Sequence, residues 1–240
     1  MKDKWIVALS VLIVIVLASL GILMLTGGEP QRFEYDFSES DHGWDAGWAD
    51  LPQDYDPESY KLEFDRRSLP ENLGNSKALF ISSQNLPDDI FMYLKKQLDG
   101  LEERKSYEVV FEVELASKYP TGSVGIGGSP ADSVYLKGGA STDEPQRYVD
   151  EDGWLRLNVD KGGQSQGGEQ AAVLGTVAKP DDGTDRYVIV KRDNGDKPVT
   201  AKSDEEGRLW VFVGTDSGFE GLTELFYTNF TIVVKPQRIS

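Results

Sequence analysis

The sequence predicts an all-β protein, an antiparallel β-sandwich that follows one N-terminal transmembrane helix. Lys105–Ser117 alternates apolar and acidic residues, which is the pattern of a long strand with one face in a core and one near water. Shorter runs of the same kind follow one another along the chain, separated by turns rich in Gly, Asp and Asn. Before all of these, Trp5–Leu25 is an uncharged apolar run with the length that a bilayer-spanning helix needs.

The apolar run Trp5–Leu25 is predicted to be an uncleaved membrane anchor. Lys2 and Lys4 precede it, so the positive-inside rule puts the N-terminus in the cytoplasm and Glu29–Ser240 outside the cell membrane. A cleaved signal peptide is the alternative, but the run is longer than the usual signal-peptide core and no clean A-x-A cleavage site follows it. We therefore expect residues 1–28 to form a cytoplasmic tip and anchor, and residues 29–240 one exported β-sandwich domain.

Composition narrows the classes of partner. The 240 residues include 41 acidic and 25 basic side chains, a net charge of −16, and no cysteine. A surface this acidic repels phosphate backbones, so a nucleic-acid partner is not expected. Without cysteine the chain has no disulfide, no thiolate metal site and no cysteine nucleophile.

The predicted strands can be justified in chain order. Arg32–Phe37 alternates three aromatic residues with polar ones, and Leu209–Val213 is apolar on both faces, as in a strand covered on two sides. Leu51–Ser59 and Gly138–Asp152 are expected to be polar loops, and no helix is expected after the anchor. The other strands are predicted at 60–64, 78–82, 90–98, 105–117, 123–126, 134–136, 154–159, 171–177, 187–190 and 222–234.

Three segments together resemble carbohydrate-binding modules and galactose-binding-like domains of the jelly-roll class. The opening strand Phe33–Phe37 is followed by an acidic turn and Gly43-Trp44, as in the start of many such modules. Leu98–Leu101 leads into the long alternating strand that ends at Ser117, and Leu225–Val233 is similar to their closing strand. The resemblance implies a jelly roll. The chain is also similar to uncharacterised exported prokaryotic proteins, from which no activity follows.

The same resemblance implies a structural calcium ion in some of these domains, bound between the first and last strands. The matching residues here are Glu34, Asp36 and Asn229. Asn229 stands where an Asp is more usual and offers one neutral oxygen, which weakens the implied site. Beyond this possible calcium ion, no cofactor is expected.

Aromatic residues beside polar loops are the candidates for a glycan platform. Trp48 and Tyr55 lie near several Asp residues, and Trp154 opens a strand that carries Arg156 and Asn158 on the same face. A flat aromatic ring suits the apolar face of a sugar, while amide, carboxylate and guanidinium groups bind its hydroxyls. The alternative is that these aromatic rings fill the core of the sandwich.

Three glycine-bearing loops are expected to line one rim of the sandwich, where jelly-roll ligands often sit. They are Gly125–Gly128, Lys161–Gln170 and Gly214–Gly221, and none has the phosphate-loop pattern. Tight turns between strands are the alternative reading. The polar side chains that these loops offer to a ligand are Gln164, Gln166, Glu169, Asp216 and Glu220.

Three functions remain open from the sequence. The favoured hypothesis is a membrane-anchored, outward-facing module that binds a glycan or another envelope component through Trp48, Tyr55, Trp154, Arg156, Asn158 and Gln166. The second is a structural or protein-interaction module of the cell envelope without a small ligand. The third is a glycan hydrolase using a carboxylate pair such as Glu112 and Glu114. Whether the chain is an enzyme stays uncertain, with a binding role preferred.

Overall fold

The computed structural model of the protein describes residues 28–87 and 89–237. The predicted anchor Trp5–Leu25 therefore lies outside the described residues. In the part that is described, no helix is long and apolar enough to cross a membrane.

Nearly all regular structure in the described residues is β-strand. The exceptions are a four-residue helix, α1, at Pro57–Tyr60, which Asp56 caps, and a 3-10 turn at Glu71–Leu73. The strands are β1 Gln31–Asp36, β2 Asp45–Ala49, β3 Leu51–Pro52, β4 Glu63–Ser68, β5 Lys77–Gln84, β6 Phe91–Leu98, β7 Ser106–Ser117, β8 Val134–Ser141, β9 Arg147–Val149, β10 Trp154–Leu157, β11 Ala171–Thr176, β12 Val188–Asp193, β13 Val199–Lys202, β14 Leu209–Ser217 and β15 Leu222–Pro236.

The first sheet is built on the two longest strands, β7 and β15, which pair antiparallel along most of their length. β12 and β13 share the other edge of β7, β12 at its C-terminal end and β13 at its N-terminal end. β5 and β1 share the other edge of β15 in the same way, and β4 extends the sheet beyond β5. A bulge near Thr228 separates the part of β15 that pairs with β5 from the part that pairs with β1.

The second sheet has five antiparallel strands in the order β11-β8-β14-β6-β2. Its central strand, β14, is buried on both faces, as predicted for Leu209–Val213. The packing is close enough to require glycine at one point. A Cβ at Gly139 would overlap the Phe212 ring and lie 2.5 Å from the backbone oxygen of Gln170.

The main core lies between these two sheets. The alternate residues of β7 that the sequence predicted to be apolar and inward are all buried. Side chains of β6, β8 and β14 meet them from the second sheet. This confirms the β-sandwich prediction for the described residues. The inward residues of β7 are Tyr107, Val109, Phe111, Val113 and Leu115.

A third, small sheet in the order β3-β10-β9 belongs to a segment that covers the outer face of the second sheet. Leu157 and Val159 of this segment pack on Phe91, Tyr93 and Phe212, whose rings point away from the main core. The outer face of the second sheet is therefore a second apolar layer rather than an open platform.

Several sequence-based predictions are wrong. No helix is expected after the anchor and Leu51–Ser59 is expected to be a loop, but this segment contains β3 and the start of helix α1. Residues 214–217 of the expected loop Gly214–Gly221 instead extend strand β14.

Ser123–Ile126 is a loop, because glycines at 122 and 127 adopt positive φ and the Asp132 side chain accepts hydrogen bonds from Thr121 and Gly122. Tyr60 ends helix α1 instead of starting a strand, since Asp56 accepts hydrogen bonds from the amides of the first helical turn. Gly138–Asp152 is not a loop throughout, because β8 extends to Ser141 and β9 follows.

Candidate functional site

One end of the sandwich gathers the loops that the sequence predicted to line a rim. The β5–β6, β7–β8 and β14–β15 connections all lie at this end, and each of them joins a strand of one large sheet to a strand of the other. The segment 158–170 reaches the same end from the covering layer. We call these four loops the rim.

Backbone hydrogen bonds join the loops of the rim directly. The Glu220 amide donates to Ile126 O at 2.9 Å, and the Gly218 amide donates to Ser133 O at 2.9 Å. Asn85, from the β5–β6 loop, donates through Nδ2 to Ser217 O at 2.8 Å and to Phe219 O at 3.0 Å. The three connections are therefore one built surface, on which residues 125–128 and 218–221 of the predicted glycine-bearing loops meet, while residues 214–217 belong to β14.

Glycine is required where these loops touch. Gly127 has φ +72°, and a Cβ on it would lie 2.8 Å from Gly218 O and 2.9 Å from the Glu220 side chain. A larger residue at this position would be strained by its φ and would push the β7–β8 and β14–β15 loops apart.

The loop 158–170 is held in shape by Asp160. Its Oδ2 accepts from the Glu169 amide at 2.8 Å and its Oδ1 from the Gly162 amide at 3.0 Å. These two bonds lower the pKa of Asp160, the Glu169 amide most strongly. The Asp160 amide in turn donates to Gln170 Oε1 at 2.8 Å.

A buried ionic network lies beneath this loop, on the outer face of the second sheet. Asp216 Oδ2 accepts from Lys137 Nζ at 2.8 Å and from Lys161 Nζ at 2.7 Å. Lys161 also lies 3.0 Å from Asp50 Oδ2, as an ion pair without hydrogen-bond alignment. Asp50 Oδ1 accepts from Arg156 at 2.8 Å. The network runs from the rim towards the covering sheet, and Lys161 joins its two halves.

Asp89 is the carboxyl of this region that faces a cleft. Burial raises its pKa to about 6, and the negative charge of Asp216 adds to that rise. Lys161 opposes it. The cleft has a volume of about 410 Å³ and is lined by Pro87, Asp89 and residues 163–166. A carboxyl that can be protonated near neutral pH can both donate and accept hydrogen bonds here.

A second cleft lies on the other side of the same loop. Its volume is about 590 Å³, and its walls come from residues 165–169, 171–173 and 197–200. Gln166 lines both clefts. The loop is thus a polar ridge between two open depressions, rich in amide and hydroxyl groups.

The rim also exposes apolar side chains. Val124 is 93% and Ile126 72% exposed on the β7–β8 loop, and Leu86 is 52% exposed on the β5–β6 loop. Exposure this large on neighbouring loops leaves apolar surface beside the polar cleft.

Two of the residues predicted to bind a ligand are packed into the fold. Trp48 is partly buried, and its indole N–H donates to Ser82 O at 3.0 Å. Tyr55 packs edge-on against Tyr60, with ring centroids 5.7 Å apart. Both contact the small apolar cluster of Leu51, Tyr60 and Ile90 beside the covering sheet.

Three further predicted residues lie on the covering segment. Arg156 lies 5.2 Å from the ring centroid of Trp154, which is half-buried, and it bridges Asp50 and Asp150. Asn158 accepts from the Gln146 amide at 2.8 Å and donates to Glu144 O at 3.0 Å. The sixth predicted residue, Gln166, lies apart from these on the loop between the two clefts.

The predicted calcium ligands share one face of the β1–β15 pair. Asp36 is directly opposite Asn229, and Glu34 is opposite Thr231. Glu34 Oε1, however, accepts from Arg32 at 2.6 Å, and Asp36 Oδ1 accepts from the Ser38 amide at 2.8 Å. The donor set fits calcium poorly as it stands, because the ion would have to displace the Arg32 guanidinium. No cluster of three or more His, Cys, Asp or Glu residues that could hold a metal occurs within 28–87 and 89–237.

The carboxylate pair considered for hydrolysis lies on the outer face of the first sheet. Glu112 is 3.9 Å from the Arg32 guanidinium, and Glu114 is paired with Lys191. The depression beside them is small, about 130 Å³.

Sequence reasoning missed most of the ionic network. Asp216, Gln164 and Gln166 were identified through their glycine-bearing loops, but Lys137, Lys161 and Asp89 were not. One signal was available for Lys137, which stands alone in the otherwise uncharged run Val134–Ser141. A lysine in the middle of a buried strand requires a partner, because an unpaired buried charge is strongly unfavourable.

Comparisons with known proteins add the following. No protein-family model matches the chain, and no curated protein matches it. Among solved structures, the carbohydrate-binding module TmCBM61 in complex with β-1,4-galactotriose is 12% identical, with 82% of this chain and 92% of that chain covered and a TM-score of 0.36. TmCBM27, described for specific mannan recognition, is 12% identical, with 89% and 100% covered and a TM-score of 0.36.

A family 11 carbohydrate-binding module from a cellulosomal cellulase of Clostridium thermocellum is 8% identical, with 88% of this chain and 97% of that chain covered and a TM-score of 0.35. Carbohydrate-binding modules, the class that the sequence resembles, are thus among the similar solved structures. The sheets described above, rather than these distant matches, carry the fold assignment.

Proposed function

We propose that this chain is a membrane-anchored, extracytoplasmic module that binds a glycan or another polar envelope component at the rim. The observation that supports it best is the convergence of four loops around a polar cleft of about 410 Å³, with Gln166 on the ridge between that cleft and its larger neighbour. Surface loops held on a rigid sandwich are a frequent place for binding residues.

The position of Gly28, the first residue that the structure describes, is compatible with this proposal. Gly28 lies beside Lys105 and Pro236, at the end of the sandwich opposite the rim. With Trp5–Leu25 as an anchor, the rim would face away from the membrane. The two ends are separated by about 40 Å, the length of the twelve-residue strand β7 at roughly 3.3 Å per residue.

The chemistry of the clefts favours a neutral, hydroxyl-rich ligand. The walls of the smaller cleft offer amide side chains, a serine hydroxyl, backbone groups and the Asp89 carboxyl, and those of the larger cleft add Thr200 and one charged residue of each sign, Glu169 and Lys197. A net charge of −16 disfavours anionic polymers. Trp154, Arg156 and Asn158, which the sequence proposed as contacts, would belong to a separate contact area on the covering segment, so the two locations can be tested separately.

The test is a titration of the full chain in detergent micelles against a panel of soluble neutral polysaccharides. We expect binding that Gln166→Ala weakens about tenfold, roughly the contribution of one good hydrogen bond, and that Trp154→Ala leaves unchanged. The opposite result for the two variants would move the site to the covering segment. Lack of binding to any polysaccharide by the unaltered chain would contradict the proposal.

A second function is favoured by the exposure of Val124 and Ile126. Apolar side chains on a loop tip suit contact with another protein of the envelope. Under this alternative, crosslinking in intact membranes would capture one stable partner protein, and the double variant Val124→Ser, Ile126→Ser would no longer capture it. Neither the unaltered chain nor the variant would bind polysaccharide. The hydrolase hypothesis has less support, because Glu112 and Glu114 lie beside cations next to a small depression. It predicts turnover that Glu112→Gln abolishes.

Calcium remains part of the proposal on the sequence resemblance alone. Glu34, Asp36 and Asn229 would hold it between the first and last strands. Its role would be structural, and no step of ligand binding depends on it.

A further inference from the structure

Lys137 and Asp216 form a completely buried ion pair on adjacent strands. Both side chains have no exposed surface, and Lys137 Nζ lies 2.8 Å from Asp216 Oδ2. They come from β8 and β14, 79 residues apart in the chain. Burying two opposite charges costs more than an exposed pair, since their mutual attraction must offset the loss of both hydration shells.

The lysine nitrogen is held in one place by the backbone. It donates to Gly163 O at 2.6 Å and to Lys161 O at 3.0 Å, so its third proton points at Asp216. Burial lowers the pKa of the Lys137 ammonium group, although the Asp216 charge acts in the other direction. A lower pKa increases the fraction of neutral amine, which is the nucleophilic form.

The Asp216 carboxylate is also held by more than one contact. Its Oδ2 accepts from Lys161 as well as from Lys137. Its Oδ1 is buried and has no hydrogen-bond partner among the residues that the structure describes. Asp89 is electrostatically coupled to both members of the pair, and its raised pKa allows it to carry a proton near neutral pH.

We propose that Lys137 and Asp216 become joined by an intramolecular amide bond that links β8 covalently to β14. The ammonium group first transfers a proton to the carboxylate along their hydrogen bond. The Lys137 amine then attacks Cγ of Asp216, and the Cγ–Oδ2 bond breaks. Oδ2 leaves as water, with one proton from the protonated carboxyl group and a second from the attacking nitrogen. One ammonium and one carboxylate thus give one amide and one water, and no oxidant or cofactor is needed.

The neighbouring groups have defined roles in this reaction. The Lys161 ammonium, 2.7 Å from Asp216 Oδ2, stabilises negative charge on that oxygen as the C–Oδ2 bond breaks. Asp89 influences the reaction through its charge, because it is electrostatically coupled to both Lys137 and Asp216. In the product, the remaining N–H can still donate to Gly163 O. The crosslink does not depend on the ligand proposed for the rim.

The chain contains a matched control. Lys179 is also fully buried and paired with a carboxylate, but that partner, Asp182, has a side chain that is 47% exposed. Hydrogen bonds, first from Lys179, lower the pKa of Asp182 to about 2, so it stays ionised and is a poor acceptor for an amine. We expect no amide at Lys179.

The test is mass spectrometry of the full chain, purified and proteolysed under denaturing conditions. A branched peptide that joins Lys137 to Asp216 and is lighter than its two parts by one water molecule would establish the bond. Its absence, with both linear peptides recovered at full mass, would overturn the proposal. Lys137→Met and Asp216→Ala must abolish the branched peptide.

Asp89 and Lys161 can be examined in the same experiment. In Asp89→Asn we expect the linked fraction to fall several-fold, measured at a fixed time after synthesis. Lys161→Met is expected to reduce it as well. An unchanged linked fraction in Asp89→Asn would refute its part in the reaction. Loss of one water molecule from the peptide that contains both Lys179 and Asp182 would show that proximity alone is sufficient, and would overturn the role given to the surrounding groups.

Discussion

At the scale of single residues, Asp89 is the titratable group whose environment has the clearest consequence. Its pKa is raised to about 6, first by burial and then by Asp216, with Asp50 adding to the rise and Lys161 and Gln164 opposing it. Between about pH 4 and 6 the folded protein therefore holds more protons than the unfolded chain. Stability should fall as pH rises through this window, and the loss should be complete above it.

Replacing Asp89 by Asn should remove this loss. After a discount for partial exposure, and with Lys137 and Asp216 unlinked in both proteins, we expect Asp89→Asn to be more stable than the unaltered chain by about 1 kcal/mol above pH 7, and equally stable near pH 4. Urea unfolding at the two pH values measures the difference. Glu103→Gln, at an exposed position, serves as control and should change neither value. A stabilisation that is equal at both pH values would contradict the assignment.

Individual residues also show the limit of sequence reasoning about the site. Gln166 could be predicted, because a glycine-rich polar loop between strands commonly lies on a surface. The network of Asp50, Lys137 and Lys161 could not, because its members are far apart in sequence and meet only after the second sheet and the covering segment have formed. Trp48 and Tyr55 are the type of side chain that binds sugars, but both are partly buried against neighbouring apolar residues.

At the scale of secondary-structure elements, the loop 158–170 depends on one side chain. Asp160→Ala would leave the amides of Gly162 and Glu169 without their acceptor. Each lost bond is worth about 1 kcal/mol, so we expect hydrogen exchange at both amides to accelerate several-fold or more. Glu169→Ala keeps the backbone bond and should leave the exchange of Gly162 unchanged. Equal exchange in both variants would mean that the loop is held by other contacts.

The close packing of β8 against β14 gives a second prediction at this scale. Gly139→Ala forces a methyl group against the Phe212 ring and the Gln170 carbonyl, and overpacking of this kind costs about 1–3 kcal/mol. A Cβ at Gly163 meets nothing within 4 Å. Gly163→Ala is therefore the matched control and should change the free energy of unfolding by less than about 0.5 kcal/mol. Thermal or urea unfolding distinguishes the two.

The elements themselves were predictable to different degrees. β7 follows from alternation alone, because one face of it is buried along its whole length. The alternation of β15 is interrupted at the bulge near Thr228, so that its core residues are Leu225 and Tyr227 before the bulge and Phe230, Ile232 and Val234 after it. Ser123–Ile126 has similar short-range alternation but forms a loop, since glycine conformation and the Asp132 side chain, which accepts from Thr121 and Gly122, hold it as a turn. β10 was predictable, because 154–159 alternates, whereas its hairpin partner β9 lies in the run 138–152, whose polar composition predicts a loop.

At the scale of the whole molecule, the calcium proposal makes a prediction about global stability. If Glu34, Asp36 and Asn229 bind the ion, calcium in excess should raise the melting temperature of the full chain above its value in EDTA, by an amount equivalent to about 2.7 kcal/mol at a concentration 100-fold above the Kd. Asn229→Ala should abolish the shift and Asp65→Asn, exposed on β4, should keep it. Identical melting with calcium and EDTA would count against the site, as the Arg32–Glu34 pair already suggests.

The pairing of β1 with β15 determines how the molecule carries mechanical load. β1 starts at the end where the chain enters, and its six residue pairs with β15 run towards the rim. Under the proposed function, a pull between Gly28 and a ligand at the rim would act along the strand axis, so the hydrogen bonds of this pair would be sheared together rather than opened one after another. A domain arranged in this way resists force best in the direction in which a tethered surface protein is pulled.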